Sequence, residues 1–156
     1  MPMIILKDII NKHEIASKAY ITEEDWLLYK LKGKLIMPDV EDGAEDVEKV
    51  IDIPYKQALE EIPDFSKSNF ASCMKAVMKA IVKTKKYTEM APELVEEFKK
   101  KTTDWVKSTL ENFDNYVFYS HANVEDYTKS FIVLCEWKGE EPWFYLIKDA
   151  LMEEKV

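Results

Sequence analysis

The sequence predicts an α+β fold: a β-rich core with an antiparallel α-helical hairpin inserted into it. Two observations lead there. Short apolar runs of strand length fill the first and last thirds of the chain, and between residues 66 and 113 the apolar period changes to steps of three and four. Strands, then a helical pair, then strands must close one core around the inserted hairpin. A chain of 156 residues suits a single domain spanning 1–156.

In the first third, strands are expected at 3–7, 20–22, 27–32, 34–37 and 50–53. Gly33 lies between two short apolar runs and predicts a tight hairpin joining 27–32 to 34–37. Residues 38–48 hold Asp39, Glu41, Asp42, Glu45, Asp46 and Glu48 with little to bury, and are expected to be a mobile acidic surface loop.

The helical hairpin is expected over 66–113. In its first helix, at 66–88, Phe70, Cys73, Met74, Val77, Ile81 and Val82 share one face, and Ser66 or Ser68 can cap the start by accepting a backbone N–H. Pro92 opens the second helix, where its missing N–H costs nothing. Leu94, Val95, Phe98, Trp105, Val106, Leu110 and Phe113 form that helix's stripe, and the short connection at 87–91 makes the pair antiparallel. Strands are expected again at 116–120, 130–137 and 143–148, with a hairpin at Gly139 and a last short element at 150–154. The aromatic residues Trp137, Trp143, Phe144 and Tyr145 are expected in the sheet core.

Composition excludes several functions. The chain carries 22 basic residues, all Lys, against 30 acidic ones, a net charge of −8. An acidic chain without Arg is a poor nucleic-acid binder, since base and phosphate recognition favours the guanidinium fork. No segment has the apolar length of a membrane span, and the N-terminus is charged too early for a signal peptide. Cys73 and Cys135 form no CxxC and are expected as packed, reduced thiols, which points to the cytoplasm. With three glycines there is no Gly-rich phosphate loop.

Catalytic chemistry finds no motif either. Any nucleophile–His pair must use His13 or His121, and both are expected as exposed loop residues. Neither a catalytic residue nor a cofactor is expected. The acidic loop fails the EF-hand pattern: with Gly43 at the sixth position, Pro38 falls at the first and Lys49 at the twelfth. Weak Ca²⁺ association through Glu41, Asp42, Glu45 and Asp46 is the one ion-binding expectation, and no high-affinity metal site is expected.

Charge distribution says more. The segment 66–88 has six lysines and no acid, and Lys75, Lys79, Lys83 and Lys86 recur at helical spacing along one face. The stripe is either an ordinary solvated face or a docking strip for an acidic surface.

Four segments, in order, resemble the translationally controlled tumour protein family, also called histamine-releasing factor. They are the opening at 3–17, the second long helix at 92–113, the signature Leu110-Glu-Asn-Phe-Asp-Asn-Tyr-Val-Phe-Tyr119, and the aromatic, then acidic C-terminus at 141–156. The resemblance implies a β-tent, similar to Rab-associated guanine-nucleotide exchange proteins, with a protruding helical hairpin. It implies a cytoplasmic, non-enzymatic adaptor binding tubulin, calcium, a small GTPase and a translation elongation factor, with effects on growth. Stimulation of nucleotide exchange on a GTPase and a calcium-binding or structural role are the alternatives. It places Glu14, with Asp8 nearby, at the GTPase contact, and makes Lys75, Lys79, Lys83 and Lys86 the strip for tubulin. Departures are a shortened acidic loop without Asn-x-Ser, Ser120-His121 in place of Gly-Glu, His13 and Lys18 beside Glu14, and Val156 in place of a terminal Cys. The last removes a disulfide dimer through that position.

Overall fold

The structure is a computed structural model that describes residues 3–38, 47–126 and 130–156. Eleven strands are described among these residues: β1 (Ile4–Asp8), β2 (Glu14–Ser17), β3 (Ile21–Glu24), β4 (Leu28–Lys32), β5 (Leu35–Ile36), β6 (Val50–Ile51), β7 (Leu59–Glu61), β8 (Tyr116–His121), β9 (Val133–Lys138), β10 (Glu141–Ile147) and β11 (Leu151–Lys155). The helices are α1 (Asp52–Gln57), α2 (Lys67–Val82), α3 (Lys85–Thr88) and α4 (Pro92–Glu111).

All strand pairs are antiparallel. The main sheet runs β3-β4-β10-β9-β8-β7, a smaller one runs β11-β1-β2, and β5 pairs with β6 alone. The two ends of the chain therefore close against each other, with Ile4 opposite Lys155 and Asp8 opposite Leu151. Strand β10 is buried along most of its length because β4 and β9 flank it. Gly139 sits at φ +66° in the two-residue turn between Lys138 and Glu141, a left-handed conformation that a glycine adopts without penalty, so the β9–β10 hairpin forms as expected.

The predicted hairpin at Gly33 does not form. β4 is taken on both sides by β3 and β10, and β5 turns away to β6. Gly33 marks a close approach: its N–H donates to the Pro142 carbonyl at 2.7 Å, and a Cβ there would stand 3.0 Å from the Phe144 ring and 3.1 Å from Asp52 Oδ1. Asp52 holds this crossing, its Oδ1 accepting from the Lys34 and Ile53 N–H groups at 3.0 and 2.8 Å. The expected strand at 50–53 thus ends at Ile51, and α1 begins.

The helical insert forms at 67–111 with one break. Ser66 caps α2 with its hydroxyl accepting from the Asn69 N–H at 3.0 Å, and the Asn69 side chain accepts from the Ser66 N–H. Phe70, Cys73, Met74, Val77 and Ile81 are buried along one face. The helix ends at Val82, where Thr84 takes an extended conformation, and α3 follows as a separate turn. Phe70, at the start of α2, packs 6.3 Å from Phe113, just beyond α4, so the two long helices run antiparallel. Phe118 of β8 receives both rings, at 5.4 and 4.9 Å, and anchors that end of the hairpin on the sheet. The other end is tied as well: Tyr87 donates its hydroxyl to Asp149, and Lys86 reaches the same carboxylate at 2.9 Å. The hairpin lies against the sheets at both ends and does not stand free.

Two other expectations change. Trp137 is 42% exposed at the end of β9, outside the core that Phe144 and Tyr145 join. Three elements without a sequence expectation, β2, α1 and β7, complete the structure.

Candidate functional site

The basic face is built by α2. Its apolar stripe turns inward, which forces the intervening lysines outward, and Lys75, Lys79 and Lys83 are exposed. No acidic residue lies on this helix. Lys75 and Lys79 meet no carboxylate among the described residues. Lys86 differs. The break at Thr84 places it on α3, and the Asp149 carboxylate offsets its charge. The strip of four is geometrically a strip of three with a paired fourth.

Asp8 is not a surface carboxylate. It is wholly buried, and its oxygens accept from the Phe131 N–H at 2.6 Å, the Ile10 N–H at 2.8 Å and the Ser130 hydroxyl at 3.4 Å. Burial pushes its carboxyl above the ordinary range, against the lowering by those donors. It ties the β1–β2 turn to the start of the Phe131 segment and has no face to offer a partner protein. Glu14 opens β2 and is half-buried. Lys18, one of the departures beside Glu14, pairs with Glu153 at 2.5 Å.

Sequence reasoning missed the histidine pair. His13 is half-buried and His121 is buried, and their rings stack with centroids 4.5 Å apart, so neither is the exposed loop residue expected. His121 Nδ1 accepts from the Asn123 N–H at 3.1 Å. Burial, then the neighbouring His13, depresses the His121 pKa. The two positions are 108 apart in sequence, and nothing local to either announces the contact. Among the described residues no three of His, Cys, Asp or Glu gather in a metal-holding group. Glu41, Asp42, Glu45 and Asp46 lie outside the described residues.

Cys73 and Cys135 are both buried, and desolvation pushes their thiols up to about 11 and about 12. A thiol so raised is a weak nucleophile at neutral pH. No described helix is long and apolar enough to cross a membrane.

Residues 3–152 match the sequence profile of the translationally controlled tumour protein family. The chain belongs to this family. A Schizosaccharomyces pombe homologue is 29% identical, with 98% of this chain and 99% of the relative aligned. A Plasmodium chabaudi chabaudi homologue is 30% identical over the same shares. The solved structure of the translationally controlled tumour-associated protein from Schizosaccharomyces pombe superposes with a TM-score of 0.78 at 29% identity, covering 99% of this chain and all of that one. Family membership and the α+β architecture therefore agree with the reading from sequence.

Proposed function

We propose that this member of the family is a cytoplasmic protein-binding adaptor, not an enzyme, and that it docks acidic protein surfaces through the basic face of α2. The observation that carries this reading is the exposure of Lys75 and Lys79 on a helix without acids, and of Lys83 at its C-terminal cap, in a chain of net charge −8. Like charges at this spacing repel by a few tenths of a kcal/mol per pair, and an acidic partner relieves that repulsion. The family resemblance makes tubulin, with its acidic tails, the candidate partner.

The test is co-sedimentation with microtubules at low and high salt. The wild type is expected to sediment at low salt and to be released at high salt, since exposed charges are screened beyond about 8 Å at physiological ionic strength. Lys75→Gln, Lys79→Gln and Lys83→Gln together should abolish sedimentation, whereas Lys86→Gln should change it little. Equal sedimentation of wild type and the triple variant would refute the docking strip.

A further inference from the structure

His13 and His121 are the two histidines of the chain, and they meet face to face. Their planes lie 6° apart, with the centroids at 4.5 Å. His13 closes the turn between β1 and β2 of the smaller sheet, and His121 ends β8 of the main one, so the stack joins the two sheets. The turn is bonded within itself. The Asp8 N–H donates to the His13 carbonyl at 2.9 Å, the Lys12 N–H to the Asp8 carbonyl at 2.9 Å, and the His13 N–H to Asn11 Oδ1 at 3.0 Å. Lys12 sits at φ +67°, a left-handed conformation that a lysine keeps only under restraint.

The bonding at His121 requires an uncharged ring. Its Nδ1 accepts from the Asn123 N–H at 3.1 Å, which leaves the ring's single proton on Nε2. An imidazolium carries a proton on both nitrogens, so charging His121 turns that acceptor into a donor facing another donor. The stack opposes the charge as well. One imidazolium can lie on a neutral ring, but two would face each other at 4.5 Å in a site largely withdrawn from water. Burial, then His13, accordingly holds His121 below the ordinary 6.5, against the pull of Glu14 on β2 and Glu60 on β7. His13 and those two carboxylates are the ionisable groups that act on His121 among the described residues. The ring keeps 9% of its surface open, so a proton reaches it without unfolding. Asp8 borders the same turn but works in the opposite sense: burial raises its carboxyl, so acid favours the folded form there.

We propose that the His13–His121 stack is a pH-sensitive latch. It holds while at most one ring is charged. A second proton, on His121, parts the rings, breaks the Asn123 bond and frees the β1–β2 turn, with Glu14 at its edge, from the end of β8. The direction follows from the uncharged ring. The folded chain binds fewer protons at His121 than the unfolded one, so the latch is fully closed above about pH 6.5 and opens as pH falls below that value. The proposal does not rest on the docking strip of α2, which holds no histidine.

The test follows the His13 and Asn123 amide protons of the full chain by NMR at about pH 7.5 and about pH 5.5, with exchange corrected for its intrinsic pH dependence. Protection of both should fall about tenfold at the lower pH, while the amides of β9 and β10 keep theirs. The two imidazole Cε1–H signals should titrate in two separated steps, as a coupled pair does. His13→Phe and His121→Phe each keep a flat ring for the stack and remove one titrating group. In each, the amide of residue 13 should stay protected at the lower pH. In His13→Phe the His121 step should also move to higher pH, because the opposing like charge is gone, and in Glu14→Gln it should move to lower pH. Should one Phe variant fail to fold, the other and the wild-type titration still decide. Equal protection at both pH values in the wild type, two imidazoles that titrate independently, or a folded His13→Phe variant that loses protection at residue 13 as the wild type does would overturn the latch. So would a loss of protection that extends through β9 and β10, which would mark global unfolding.

Discussion

Helices α2 and α4, of 16 and 20 residues, are joined by a single turn of helix and carry comparable apolar stripes, yet the molecule holds them differently. On α2, Phe70, Cys73, Met74, Val77 and Ile81 are all buried. On α4 only Thr102 and Thr109 are, while Val95, Phe98, Trp105, Val106 and Leu110 remain partly open. The reason is position. α2 lies between the sheets and α4, whereas α4 has α2 on one side and solvent on the other. Charge follows the same division: α2 bears lysines without acids, and α4 mixes both signs. A similar hydrophobic pattern therefore marks two kinds of helix, one part of the core and one packed onto it.

The largest test of this contrast is the pair Phe70→Ala and Trp105→Ala. Phe70 is wholly buried, so its loss should cost about 3–5 kcal/mol, transfer and cavity together. Trp105 is half-buried, and its larger ring should cost less, about 1–2 kcal/mol, because much of it already faces water. Chemical denaturation gives both values, and a Trp105→Ala cost equal to that of Phe70→Ala would erase the distinction. A smaller effect is expected at the helix starts. Ser66→Ala should cost about 1 kcal/mol through the lost cap on α2, whereas Ala91 makes no side-chain cap on α4 and Ala91→Ser should stabilise by a few tenths. Thermal melts of the two variants should shift in opposite directions. A further effect, of the same order, is a gain. Thr102→Val removes a buried hydroxyl that meets no partner among the described residues, at nearly constant volume, and should raise stability by up to about 1 kcal/mol. A lower Tm for this variant would mean that the hydroxyl has a partner in solution.

The exposed row of lysines was legible in the sequence because lysines at helical spacing stay outward whenever the apolar face turns in. Only its last member was misplaced, since Thr84 interrupts the helix and gives Lys86 to Asp149. Glu14 and Asp8 illustrate the opposite case. They are six residues apart in one strand–turn–strand unit, yet one carboxylate is half-open and the other is enclosed by the Phe131 segment, 123 residues away. No local pattern distinguishes them. Thr102 is equally undistinguished, reading as an ordinary helical threonine until its burial is seen.

By itself the sequence determined what is set within a few residues: the two long helices, the Ser66 and Pro92 helix starts, the turn at Gly139, and the short apolar runs that make β9 and β10 strands. Each rests on local sterics, capping or periodicity, so neighbouring residues suffice to specify it. Tertiary structure decided what depends on long-range pairing. It chose β10 over β5 as the partner of β4, stacked His13 on His121, enclosed Asp8 and left Trp137 exposed. Strand pairing and burial are settled by the whole chain competing for each edge and each face, and that competition leaves no trace in any short stretch of sequence.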